Sequence, residues 1–170
     1  MLGAIKTERL ILREMNTDDA AFILALMNEP GWLEFIGNTT VKTLEDAKNH
    51  ILNRLTSRVE GMGFRVVTLK ESHIPVGVCG LIQRDFLQAP DIGYAFSEAY
   101  WHQGYAFEAA LAMLHYGRDQ LHFKRILAIT DRGNQRSEKL LAKLGLTFDS
   151  TVIHPQTGAE LNVFGIGFQP

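Results

Sequence analysis

The hydrophobic period of the chain changes from strand-like to helical just after Ser97, and this change restricts the fold more than any other feature. Before it lie three short strand-like runs, 63–70 (GFRVVTLK), 76–83 (VGVCGLIQ) and 90–97 (PDIGYAFS). The connections between them, with ESHIP and FLQAP at their centres, are too short to hold a helix, so the runs are expected to form an antiparallel meander. After Ser97, Phe107, Ala110, Leu111 and Leu114 recur at helical spacing between Gln103 and about Leu121. The β-branched run RILAITD (125–131) follows. Strand, helix and strand in that order make a crossover unit, which is expected to be parallel and right-handed. One parallel pair is therefore placed inside a sheet that is otherwise antiparallel.

The flanking segments fit around that unit. ERLILREM (8–15) alternates as a strand, with Leu10 and Leu12 on one face and Ile11 on the other. DDAAFILALMNE reads as a helix capped by Asn16 or Thr17 and ended by Pro30-Gly31, and GWLEFIGNTTV reads as irregular. Thr43 and Asp46 form a capping-box pattern for a second helix, whose stripe is Leu44, Ala47, Ile51, Leu55 and Val59, closed by Gly61 and Gly63. NQRSEKLLAKLGL is a further helix stopped at Gly145. Two closing strands, LTFDSTVI and LNVFGIGF, are joined by HPQTG. The expectation is a mixed α/β (α+β) fold: one domain over 1–170, a mostly antiparallel central sheet and helices on both faces.

Composition excludes some functions. Seventeen Lys and Arg against nineteen Asp and Glu leave a net charge of -2, and no basic run marks a nucleic-acid partner. No window is long and apolar enough for a membrane span, and the charged N-terminus argues against a signal peptide. The lone Cys79 forbids an intrachain disulfide and fits a cytoplasmic setting; its apolar neighbours make it a core residue. The six histidines show no zinc spacing, so no metal is expected.

The stretch YWHQGYAFEA (100–109) lies where strand turns into helix. First-turn amides of a helix lack intrahelical partners and carry the positive end of its dipole. Gly104 and Ala106 would leave them open to a pyrophosphate. Locally, the same two residues also fit a plain structural role, with Gly104 supplying an unusual dihedral. No full G-x-G-x-x-G and no P-loop motif is present.

Taken together, the motifs resemble the GCN5-related N-acetyltransferase family over about residues 6–168, and within it the ribosomal-protein-alanine acetyltransferase branch. The family's Q/R-x-x-G-x-G/A pattern is matched by Trp101-His102-Gln103-Gly104-Tyr105-Ala106, with Trp101 in place of Gln or Arg. The branch's W-G-K-G-Y-A-T-E-A becomes W-H-Q-G-Y-A-F-E-A. The N-x-x-S…L-x-K-L-G-F segment is matched by Asn134, Ser137, Lys143, Leu144 and Gly145, with Leu146 where phenylalanine is usual. TERLILREMNTDDAAFILALMNEP and TLEDAKNHI are similar to the same branch.

The resemblance implies an acyl-CoA N-acyltransferase fold, splayed between the parallel strands 90–97 and 125–131. It implies acetyl transfer from acetyl-CoA to a primary amine, with a protein N-terminus as the acceptor of this branch. Acetyl-CoA would lie along Tyr94, Ala95 and Phe96, and its pyrophosphate on His102, Gln103, Gly104, Tyr105, Ala106 and Phe107. Asn134, Ser137 and Lys143 would touch its arm. Asn134 is equally a helix N-cap. Ser137 would protonate the departing thiolate, a task for which the family often uses a tyrosine where this chain has Leu141. Trp32, Glu34 and Phe35, with Ile36 beside them, would wall the acceptor. The base stays open among Glu34, His50, Asp91, Tyr94, His154, Glu160 and a water chain, with Glu108 read as packing. Three other readings stand beside the leading one: an acetyltransferase of small amines or antibiotics, a non-catalytic acyl-CoA-binding module, and an unrelated α/β binding domain. Monomer and homodimer both fit.

Overall fold

The computed structural model describes residues 3–169, so residues 1, 2 and 170 of the expected domain lie outside the described residues. β1 (Ile5–Lys6) and β2 (Leu10–Glu14) open the chain, and Leu10 and Leu12 are fully buried on one face of β2. β3 (Gly63–Leu69), β4 (Pro75–Ile82) and β5 (Asp91–Phe96) form the expected meander. β6 (Arg125–Asp131), β7 (Thr147–Ile153) and β8 (Glu160–Gly167) complete the sheet, in the order β1-β2-β3-β4-β5-β6-β8-β7. Every neighbouring pair is antiparallel except β5 and β6.

Helices cover both faces because the strands are apolar on both. α1 (Ala20–Met27) and α3 (Leu44–Ser57) pack on Val66 and Val78. α4 (Tyr105–Asp119) and α5 (Gln135–Leu144) cover the opposite face, where Val67, Cys79, Leu81, Ile92 and Ile126 lie. The side chains of β5 alternate between the layers: Ile92, Tyr94 and Phe96 join the α4–α5 side, and Ala95 the α1–α3 side.

Two boundaries differ from the expectation. Pro30 does not end structure; it starts a short helix, α2 (Pro30–Phe35), because proline suits the first helical position as well as it suits a stop. α3 ends at Ser57, before the predicted Gly61. Thr56 and Ser57 donate their hydroxyls back to the carbonyls of Leu52 and Asn53, and Arg58 turns extended to reach Glu14 at 3.3 Å. Val59, now beyond the helix, is exposed, and so is Leu44 at its first turn.

The start of α3 follows the sequence. Thr43 accepts from the Asp46 amide at 3.0 Å, and Asp46 accepts from the Thr43 amide at 3.0 Å. Replacing Thr43 with Ala is expected to lower the melting temperature by roughly 2–4 °C, read by thermal circular dichroism.

Candidate active site

β5 and β6 share a single paired position, Asp91 with Leu127, where the Leu127 amide donates to the Pro90 carbonyl at 2.9 Å. Beyond it the strands part. A cleft of about 620 Å³ opens there, lined by Gly93–Phe96 on one side and Ala128–Asp131 on the other. It passes between the two helical layers, since both faces of β5 contribute to it.

The N-terminus of α4 stands at one end. Gly104 is its N-cap, with φ +81, and no side chain caps the first turn. His102 also has positive φ, at +64. A glycine at the second left-handed position avoids the cost that a Cβ would bring. His102, Gln103 and Gly104 are exposed, while Tyr105, Ala106 and Phe107 are half-buried against the core. Trp101 sits where the resembled motif has Gln or Arg; its indole donates to the Phe96 carbonyl at 2.7 Å, so it braces the turn from the end of β5. Arg136 lies over the Trp101 ring at 3.4 Å. Lys143 stands 4.4 Å over the Phe107 ring beside the same turn.

Two hydroxyls meet across the cleft. Tyr94 of β5 and Ser137 of α5 are hydrogen-bonded at 2.8 Å. Burial pushes the Tyr94 phenol up to about 12, so it keeps its proton near neutral pH. Asn134 caps α5 by accepting from the Ser137 amide at 3.2 Å, which fixes the first turn that presents Ser137. The capping role predicted for Asn134 is therefore made, and the residue also lines the cleft.

On the α1–α3 side, Asp91 lines the cleft at the point where the strands part. Its side chain is 1% exposed, Arg84 Nε donates to Oδ2 at 3.1 Å, and Oδ1 has no partner among the described residues. Burial raises its carboxyl to about 6, against the pull of Arg84. Trp32 and Phe35 line the same cleft from α2. Gly31 lets that helix close in: an added Cβ would meet the Trp101 ring at 2.7 Å, and its amide donates to Glu98 at 2.6 Å.

Several expected residues lie elsewhere. Glu34 is exposed and outside the cleft lining, because Trp32 and Phe35, three apart, share the inward face of α2 and Glu34 does not. His50 lies on α3, outside the lining. Glu160 pairs with Arg132 at 3.2 Å, and Glu108 is held by Thr7 and Arg9. His154 does line the cleft, but its Nδ1 accepts from the amides of Gln156 and Thr157 in the hairpin turn. Cys79 is fully buried and burial pushes its thiol far up, so it stays a core residue. Sequence reasoning missed Arg9, Arg84 and Arg136, each of which gains its meaning from a partner on another element.

A sheet that splays between two parallel strands, beside a bare helix N-terminus, defines an acyl-CoA-dependent acyltransferase. The acetyltransferase (GNAT) domain family matches residues 9–147, and the chain belongs to that family. The N-acetyltransferase p20 of Bacillus licheniformis is 30% identical over 147 residues, 84% of this chain and 82% of the relative. Two solved structures share the fold. The ribosomal-protein-S5-alanine acetyltransferase of Vibrio fischeri superposes with a TM-score of 0.80 at 19% identity, covering 97% of this chain and 96% of that one. RimL, a ribosomal L7/L12 alpha-N-protein acetyltransferase solved with coenzyme A, superposes at 0.81 and 16% identity, covering 97% and 98%. The protein is thus an acyl-CoA-dependent N-acetyltransferase acting on amines. Among the described residues, no helix is long and apolar enough to cross a membrane.

Proposed function

We propose that this enzyme, as one domain over 1–170, moves an acetyl group from acetyl-CoA to the N-terminal amine of a protein. The observation that carries the donor half of this reading is the splay between β5 and β6, which joins the bare start of α4 to the Tyr94–Ser137 pair in one cleft; the likeness to ribosomal-protein acetyltransferases supports the peptide acceptor. Acetyl-CoA supplies an activated acyl carbon on a thiol leaving group. The amides of Gly104, Tyr105 and Ala106 hold its diphosphate, His102, Gln103 and Phe107 border it, and Lys143 adds charge nearby. Backbone groups of the Tyr94–Ala95–Phe96 segment that face β6 hold the arm, save the Phe96 carbonyl, which the Trp101 indole already takes.

The acceptor enters from the α1–α3 side, between Trp32 and Phe35. Asp91 takes a proton from the ammonium, which frees the nitrogen lone pair. A nitrogen–carbon bond forms and the carbon–sulfur bond breaks. The Tyr94–Ser137 pair gives a proton to the departing sulfur and takes back the second proton of the attacking nitrogen, directly or through a water, as the amide forms. Tyr94 is the stronger acid of the two, and Ser137 orients it. Asn134 holds Ser137 in place. Dimer and monomer are both compatible with a cleft built from one chain, in a cytoplasmic setting.

The test is thiol release from acetyl-CoA with peptides beginning in Ala, Ser or Met, beside polyamines and aminoglycosides. Faster turnover of small amines than of every peptide would overturn the peptide assignment and leave the small-amine reading. Tyr94→Phe and Ser137→Ala are each expected to lower kcat by about 10–100-fold. The double variant should lose no more than the worse single, because the two hydroxyls act as one unit. Full additivity in kcat would mean that they act separately.

A further inference from the structure

We propose that Arg9 positions the phosphate end of the acyl donor: anchored on Glu108, its guanidinium holds the Gln103–Gly104 turn and places a positive charge beside the start of α4. This inference rests on the acetyl-CoA reading above and assigns a role to a residue outside the strand-to-helix motif.

Arg9 is gripped from one side. Its backbone amide donates to Glu108 Oε1 at 2.7 Å, and its Nε donates to Oε2 at 2.7 Å. Thr7 donates its hydroxyl to the same Oε1 at 2.6 Å. The carboxylate of Glu108 is therefore directed inward, at three donors of the N-terminal segment. On the other side, Arg9 Nη1 donates to the Gln103 carbonyl at 2.8 Å, and the guanidinium lies 4.5 Å from the centre of the Tyr105 ring. Nη2 faces Gly104: a Cβ built there would stand 3.2 Å from it. Nη2 meets no protein acceptor among the described residues.

Two consequences follow from this placement. The Gln103 carbonyl is taken by a cation, which offsets the repulsion that its oxygen would offer an anion near the helix start. The remaining donor of a rigid fork then stands beside Gly104, outside the cleft lining but at the border that Gly104, Phe107 and Lys143 share with it, within reach of phosphate oxygens seated on the helix start. The carboxylate that holds Arg9 lies 99 residues along the chain from it. Residue 104 is thus flanked by a charge that the strand-to-helix junction does not itself supply.

The experiment compares acetyl-CoA with S-acetylpantetheine, which carries the same thioester and no phosphate. Arg9→Ala is expected to raise KM for acetyl-CoA about tenfold, the low end for a charged hydrogen bond because the side chain is 43% exposed, with kcat within about twofold. KM for S-acetylpantetheine should stay in place. Arg9→Lys should recover about half of the loss on a logarithmic scale, since charge returns without the fork. The rise of KM for acetyl-CoA with added NaCl should flatten in Arg9→Ala, a response that a purely structural role would not alter. Glu108→Gln, which loosens the anchor and keeps its shape, should move KM for acetyl-CoA in the same direction, and it serves if Arg9→Ala fails to fold. An equal KM rise with both donors, or an unchanged KM for acetyl-CoA, overturns the proposal. A wild type that uses neither donor overturns the acetyl-CoA reading itself, and this inference with it.

Discussion

Gly104→Asp is expected to abolish acetyl-CoA binding while leaving the fold intact. Gly104 is exposed, and its φ of +81 belongs to the left-handed region, which aspartate tolerates better than most side chains. An aspartate at an N-cap position also favours the helix that follows, since its carboxylate can accept from first-turn amides. The same carboxylate would take the amides proposed for the diphosphate and would pair with Arg9, whose Nη2 stands 3.2 Å from the added Cβ. Repulsion then adds to blockage. The affinity should fall by at least about 100-fold, or roughly 2.7 kcal/mol. Calorimetric titration with acetyl-CoA, and with desulfo-CoA to remove turnover, reads the loss. The melting temperature should fall by only about 2–6 °C, the cost of a side chain at this φ. Tight binding by a folded variant would remove the start of α4 from the donor site.

Asp91→Asn is expected to lower kcat/KM by about 100-fold at neutral pH, and to remove the acid limb of the rate profile. Burial raises the Asp91 carboxyl to about 6, so the base form accumulates as pH rises through that value. The wild-type rate should accordingly climb from about pH 5 and level off by about pH 7. Asparagine nearly keeps the shape and the acceptor for Arg84 but cannot take a proton. The variant's rate should instead rise with pH as the free amine deprotonates in solution. A variant that keeps the wild-type acid limb would mean that another group, or water, accepts the proton. His154, another cleft-lining candidate, would be next to test, although its Nδ1 is already engaged.

Much of the donor side was legible because its residues lie close together in the chain. The 100–109 stretch carries the phosphate turn and the brace that holds it. Asn134 and Ser137 are three apart, and their pairing through an N-cap follows from helix geometry. Tyr94 was expected only as part of the strand that holds the arm and as one of several bases. Its hydrogen bond to Ser137 depends on how far β5 and β6 diverge, and no local pattern carries that distance. The acceptor side was the least legible. Glu34 seemed suitable as long as 31–41 was read as irregular. Once α2 forms, helical geometry turns Glu34 outward and Trp32 and Phe35 inward.

The sequence by itself determined the order of the strands and helices apart from β1 and α2, the meander, the parallel pair and the glycine turn at the start of α4. These depend on periodicity and on the dihedral needs of single residues, which act over a few positions. Tertiary structure alone decided where the sheet opens, which acid is buried, and which cations reach the site. Asp91 stands out among the candidate bases because it lines the cleft where β5 pairs with β6, at a single position among the described residues, and keeps a buried oxygen without a partner there. Arg9 reached Gly104 because β2 and α4 pack together. Desolvation and charge pairing are sums over neighbours that only the folded chain assembles.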